Sequence, residues 1–136
     1  MPIDELVRQF QACTLPSSAW TYMAHLSVAL WFLRHHPRDE ATRLIRAGIQ
    51  RSNAANDKGL AYHETITLAW IEVISRLLTE FDRETPFADL QSELLARCGD
   101  KNYLLRFYSR ERLYSETARR QWLPPDVSAL TCSGNA

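Results

Sequence analysis

The sequence predicts an all-α protein: an antiparallel bundle of four or five main helices, with short extra helices toward the carboxy terminus. Three observations carry this. Apolar residues recur every three or four positions through five separate stretches, the spacing that places them on one helix face. No stretch alternates apolar and polar residues as a half-buried strand does. The stretches are parted by short breaks of proline, glycine or small polar residues, so sequential helices are expected to lie antiparallel.

The first element is expected from Ile3 to Cys13: Leu6, Val7 and Phe10 share a face, and Asp4 and Glu5 suit the positive end of a helix. Leu15-Pro16-Ser17-Ser18 breaks it. Ser17 or Ser18 can cap a second helix running to about His35, where Pro37 stops it because proline has no amide and crowds the preceding turn. That helix is apolar nearly all round, which predicts a central position. Arg38-Asp39-Glu40 opens a third helix whose stripe is Ala41, Leu44, Ile45, Gly48 and Ile49, with arginines opposite. Asn56-Asp57-Lys58-Gly59 predicts a turn, and a fourth helix from about Leu60 to Phe81 carries Ile66, Trp70, Ile71, Ile74, Leu77 and Leu78. It too is expected to be central. A fifth helix, Phe87 to Arg97, ends at Cys98-Gly99, with Gly99 suited to a left-handed cap. Two shorter pieces, about Tyr103 to Tyr108 and Glu111 to Trp122, precede Leu123-Pro124-Pro125-Asp126, which ends regular structure. Residues 1–130 are thus expected to form one domain and residues 131–136 a small polar tail.

Composition excludes several functions. At 46% hydrophobic, a chain of 136 residues can bury a core without disulfide or metal staples. Sixteen basic and sixteen acidic side chains cancel, so the long-range field that draws proteins to nucleic acid or anionic lipid is absent. Between Arg106 and Arg120, five arginines face two glutamates, a pattern that reads as a solvated helix face. Three cysteines, Cys13, Cys98 and Cys132, lack CxxC spacing, and Asp4 and Glu5 stand where a leader would be basic and then apolar. The expectation is a reduced, cytoplasmic protein. The longest apolar stretch, Ala19 to Leu33, is interrupted by His25 and falls short of the roughly 20 residues a bilayer demands, so no membrane association is expected.

Chemistry is concentrated where polar groups meet apolar helices. In Tyr62-His63-Glu64-Thr65-Ile66-Thr67 a zinc-binding His-Glu-x-x-His motif would need histidine at the position of Thr67, so the protease reading fails on that residue. No Glu-x-x-His pairs exist to build a di-iron bundle, and no metal site is assigned. With helices two, three and four running up, down and up, the starts of two and four share an end with the finish of three. His25, Arg46, His63 and Glu64 are then expected to line one pocket, His25 about two turns in, roughly 10 Å at 1.5 Å per residue. Tyr22 lies one turn above His25.

His25, His63 and Glu64 are the candidate catalytic groups, an imidazole and a carboxylate forming an acid-base pair. Tyr22, Arg46, Thr67, Tyr108, Ser109 and Arg119 are the candidate ligand-binding groups. Of these, Tyr108, Ser109 and Arg119 are expected to close over the pocket and offer a hydroxyl and a guanidinium to a carboxylate or phosphate. Each residue also has a plainer structural reading. His25 suits a core histidine bonded to a carbonyl, and Glu64 suits the positive end of its helix. His63 and Arg46 suit exposed positions, Thr67 can bond back to the carbonyl of His63, and Ser109 can cap a helix with Arg112 third beyond it. Buried and unpaired, such groups would each cost about 1–3 kcal/mol, so they either pair or face a ligand. His35 and His36 lie at a helix C-terminus, where protonated imidazole is favourable, and are given no role.

Together "YHETIT", "WTYMAHLSVALWFL", "IRAGI" and "YSRERLYSETARRQWLPPD" resemble the motifs of a family of small, uncharacterised, all-helical bacterial proteins, over about Trp20 to Leu130. His25, His63, Glu64, Tyr108, Ser109 and Pro125-Asp126 fall on those motifs. The resemblance implies one structural unit and attaches no activity to it. It also implies a second histidine three residues before the position of His25, where this chain has Tyr22, so any metal site of the relatives would here lack a nitrogen ligand.

Two classes of function follow. One is a small acid-base or metal-assisted enzyme in which His25, His63 and Glu64 handle protons while Arg46 or Arg119 fixes an anionic substrate. The other is a non-catalytic module that binds a small apolar molecule or another helix, with four tryptophans and the second helix available to line the contact. The sequence identifies no cofactor, and a homo-oligomer is compatible with it.

Overall fold

The computed structural model describes residues 1–55 and 62–132, and every regular element among them is helical. The all-α prediction therefore holds. Contacts group the chain into two compact units, Met1–Tyr62 and His63–Ala136.

The first unit contains α1 (Ile3–Ala12), α2 (Tyr22–His35) and α3 (Arg38–Ala55); α2 packs on α3, and α1 lies against both. Cys13 ends α1 in a left-handed conformation, φ 58°, and the amides of Cys13 and Thr14 close onto the carbonyls of Phe10 and Gln9. The start of α2 is later than the serines predict. Ser17–Ala19 forms a 3-10 turn, and Thr21 is the cap, its hydroxyl accepting the amide of Ala24 at 3.2 Å. His25 is thus the fourth residue of α2, in its first turn and not two turns deep.

Phe10 is the centre of this unit. Its ring stacks on Trp20 at 5.0 Å and meets Phe32 edge-on at 6.0 Å. From the other side Gly48 of α3 approaches so closely that a Cβ there would lie 2.3 Å from Phe10 Cζ. The glycine in the α3 stripe is therefore what lets α3 sit against that ring. Ala41 and Ile45 of the same stripe are buried, whereas Leu44 and Ile49 are half-buried at its edges.

The second unit contains α4 (Glu64–Leu78), α5 (Phe87–Cys98), a 3-10 turn at Tyr103–Arg106, α6 (Arg110–Leu113) and α7 (Glu116–Arg120). α4 lies against α5 and α7, and α6 against α7. α4 is shorter than expected at both ends, with His63 as its cap; the expected turn at 56–59 lies outside the described residues. Thr65, Ala69, Val73 and Leu77, spaced four apart, are all fully buried and form its inner ridge.

Two expectations need correction here. Gly99 is right-handed, with φ −71°, and α5 ends with its amide on the Leu95 carbonyl. The piece expected over Glu111 to Trp122 is two helices, because Ser115 starts a new one by accepting the amide of Ala118 at 3.1 Å. Beyond α7 the described residues form no regular structure but are fastened along their length. Phe107 O accepts the amides of Val127 and Ser128, and the Tyr103 hydroxyl donates to Thr131 O at 2.8 Å. Leu130 and Cys132 are buried. Thr131 and Cys132, expected in a polar tail, thus belong to the packed unit, and residues 133–136 lie outside the described ones. No helix among the described residues is long and apolar enough to cross a membrane.

Candidate functional site

The expected site residues divide between the units: Tyr22, His25 and Arg46 fall in the first, and His63, Glu64, Thr67, Tyr108, Ser109 and Arg119 in the second.

In the second unit the polar groups bind the fold's own backbone. His63 Nδ1 accepts the amide of Ile66 at 3.1 Å, capping α4, and Nε2 bonds the carbonyl of Leu113 at 2.8 Å. A carbonyl can only accept, so the ring proton sits on Nε2 and both nitrogens are occupied. Burial lowers the pKa of His63, against the pull of the Leu113 carbonyl, and the nearby Arg119 charge lowers it further. His63 is thereby held neutral, as its two-bond role requires. Thr67 donates back to the His63 carbonyl at 2.8 Å. Glu64 opens α4, half-buried.

The residues expected to close over a ligand are likewise engaged. Tyr108 is fully buried, and its hydroxyl donates to Leu123 O at 2.7 Å; burial pushes its pKa up to about 12. Ser109 caps α6 through the Arg112 amide at 3.2 Å. Its own amide and hydroxyl donate to the two oxygens of Asp126 at 2.8 and 2.7 Å, which hold that carboxyl below its usual range. Arg119 and Arg120 embrace Glu116, whose pKa falls to about 2.

Sequence reasoning passed over Thr65 in this network. Its hydroxyl donates to Gln121 O at 2.7 Å and accepts the amide of Leu123 at 3.1 Å, tying the first turn of α4 to the segment after α7. The signal was available: Thr65 is the polar member of an otherwise apolar four-spaced ridge, and such a residue must bond something.

The first unit is different. His25 Nδ1 donates to Thr21 O at 2.7 Å, which leaves the Nε2 lone pair as an acceptor. Among the described residues nothing is bonded to it. Desolvation lowers the His25 pKa, with the Thr21 bond opposing, so the ring is held neutral. Trp20 lies against this imidazole, ring centroids 3.8 Å apart and tilted by 34°, and it also stacks on Phe10. The Trp20 indole Nε1 is buried and has no acceptor among the described residues. Tyr22 is half-buried as the first residue of α2, and Arg46 is exposed on the polar face of α3.

Among the described residues no three histidine, cysteine, aspartate or glutamate side chains are grouped as a metal site requires. Comparison with protein-family models, with curated proteins and with solved structures finds no match to this chain.

Proposed function

We propose that the protein is a non-catalytic module that binds a small, largely apolar and uncharged molecule through Trp20 and His25 at the start of α2. The observation that carries this reading is the buried Trp20 indole N–H, without an acceptor among the described residues, lying against an imidazole whose Nε2 is an acceptor with no donor among them. An unpaired buried donor costs about 1–3 kcal/mol, and a ligand that supplies its acceptor relieves that cost.

The two nitrogens make a complementary pair, the indole donating and the imidazole accepting. A primary amide or an alcohol answers both, while the partly exposed Trp20 ring suits an aromatic or aliphatic body. A carboxylate fits less well, because it needs a protonated His25, which burial disfavours. The acid-base alternative has less support, since His63 has no ring nitrogen left for a substrate.

The test is a titration of protein labelled with ¹⁵N at the tryptophan indoles, using benzamide, benzyl alcohol and benzoate as probes. The Trp20 resonance is expected to shift with the first two, to shift far less with benzoate at neutral pH, and to leave the Trp122 resonance in place. A Trp20→Phe variant with unchanged circular dichroism should lose the response. A Trp20 signal unmoved by all three probes would remove the proposed site.

A further inference from the structure

We propose that Cys98 and Cys132 are a reversible dithiol–disulfide pair, a modification site that fastens the carboxy-terminal strap of the second unit to α5. The inference is independent of the ligand reading, which concerns the other unit. The two sulfurs are in contact at 3.4 Å, both residues are buried, and both are thiols in this structure. Closing to a disulfide requires the sulfurs to move from that separation to about 2.05 Å.

The surroundings hold the pair in place. Arg97 Nη1 donates to the Cys132 carbonyl at 3.0 Å, and Arg97 is itself anchored by Glu80 at 2.8 Å and Glu93 at 2.7 Å. The neighbouring Thr131 carbonyl is bonded to the Tyr103 hydroxyl. The contact is therefore built from both sides, by the strap's backbone on one and by the end of α5 on the other.

The two thiols are also unequal. The S–H···S bond between the two lowers the pKa of Cys98, and the Arg97 and Arg106 charges lower it further, while Cys132 is pushed up by that same bond and by burial. Cys98 is the nucleophile and Cys132 the resolving thiol. The oxidant is a hydroperoxide, small enough to reach a buried sulfur when the strap opens locally.

The Cys98 thiolate attacks the terminal peroxide oxygen, the O–O bond breaks, and the departing hydroxide takes up the thiol proton as water. Cys132 then attacks the sulfur of the resulting sulfenic acid. The S–O bond breaks, and hydroxide leaves as water with the Cys132 proton. Two thiols and one hydrogen peroxide thus give one disulfide and two waters.

The test uses the full chain, exposed to stoichiometric hydrogen peroxide, quenched in denaturant with iodoacetamide and read by intact mass and peptide mapping. Reduced protein should take up three alkyl groups and oxidised protein one, on Cys13, with a single linked peptide joining Cys98 to Cys132. Dithiothreitol should restore all three. Oxidation should also raise Tm by about 5 °C or more, as expected for closing a loop of this length. Three alkylatable cysteines after peroxide, a link through Cys13, or Cys98 carried on to sulfinic acid would each overturn the proposal. A Cys132→Ser variant provides the control, because it should show no link while its Cys98 accumulates sulfenic acid.

Discussion

His63 uses both nitrogens of one ring: Nδ1 caps α4 at the Ile66 amide, and Nε2–H reaches the carbonyl of Leu113, fifty residues on from His63, at 2.8 Å. Removing the ring removes both bonds and leaves the carbonyl of the buried Leu113 without its partner. His63→Ala should lower stability by about 1–3 kcal/mol, the sum of a lost cap and a lost hydrogen bond. His63→Asn should recover part of this, because asparagine caps well but is too short to reach Leu113. Urea denaturation of the two variants checks the order, and equal losses would show that the Leu113 bond contributes nothing.

The same ring makes the fold sensitive to acid. Both His63 and His25 are pushed below their ordinary value of 6.5, chiefly by burial. A lowered histidine pKa means that the unfolded chain binds more protons, so the contribution is complete above about pH 6.5 and is lost as pH falls through the folded values. Stability should decline between pH 7 and pH 5. The carboxylates held low by arginine, such as Glu116 at about 2, act only below that window. In His63→Asn the decline should be shallower, and titration of the His63 ring by NMR should give a midpoint below 6.5.

What could be read from the sequence was what is local. Helical periodicity, the break at Pro37, the Ser109 cap with Arg112, the Thr67 back-bond and the α3 stripe each depend on residues within four positions of one another, and each is present. What depends on distant partners was not readable. The Leu113 carbonyl that occupies His63, and the Gln121 and Leu123 backbone that occupies Thr65, lie fifty or more residues away. The start of α2 was misplaced for a related reason: Trp20, just before the helix, stacks on Phe10 of α1 and on His25, and Thr21 rather than either serine becomes the cap. Gly99 failed as a left-handed cap because the chain leaves α5 into a turn closed by the Tyr103 amide on Asp100 O, which right-handed backbone can enter directly. For the candidate site, the alternative posed by the sequence, that polar groups on apolar helices either pair or face a ligand, has a different answer in each unit. His63, Thr67, Tyr108 and Ser109 pair within their own unit, whereas Trp20 Nε1 and His25 Nε2 have no partner among the described residues.

Ser75 of α4 gives a third prediction, opposite in sign to the usual effect of a substitution in a packed helix. Its hydroxyl oxygen is buried and has no partner among the described residues. Ser75→Ala removes that group and substitutes the better helix former, so stability should rise by about 0.5–1 kcal/mol. A loss on thermal denaturation would mean that the hydroxyl is hydrogen-bonded in solution.

Gly48 tests the packing of the first unit and sets two effects against each other. Glycine within a helix is worse than alanine by about 1 kcal/mol, so on propensity alone Gly48→Ala would stabilise α3. The added Cβ, however, would fall 2.3 Å from Phe10 Cζ and 2.4 Å from Cε2, inside any allowed contact. The Phe10 ring cannot retreat cheaply, because it is 1% exposed and confined by Trp20 on one side and Phe32 on another. Overpacking of this kind costs about 1–3 kcal/mol, which exceeds the propensity gain, so the net effect should be destabilising. The displaced ring would also disturb the Trp20 stack, and the variant should therefore show altered tryptophan fluorescence as well as a lower Tm. Pairing Gly48→Ala with Phe10→Leu should remove much of the clash, making the double variant more stable than the two single losses added together.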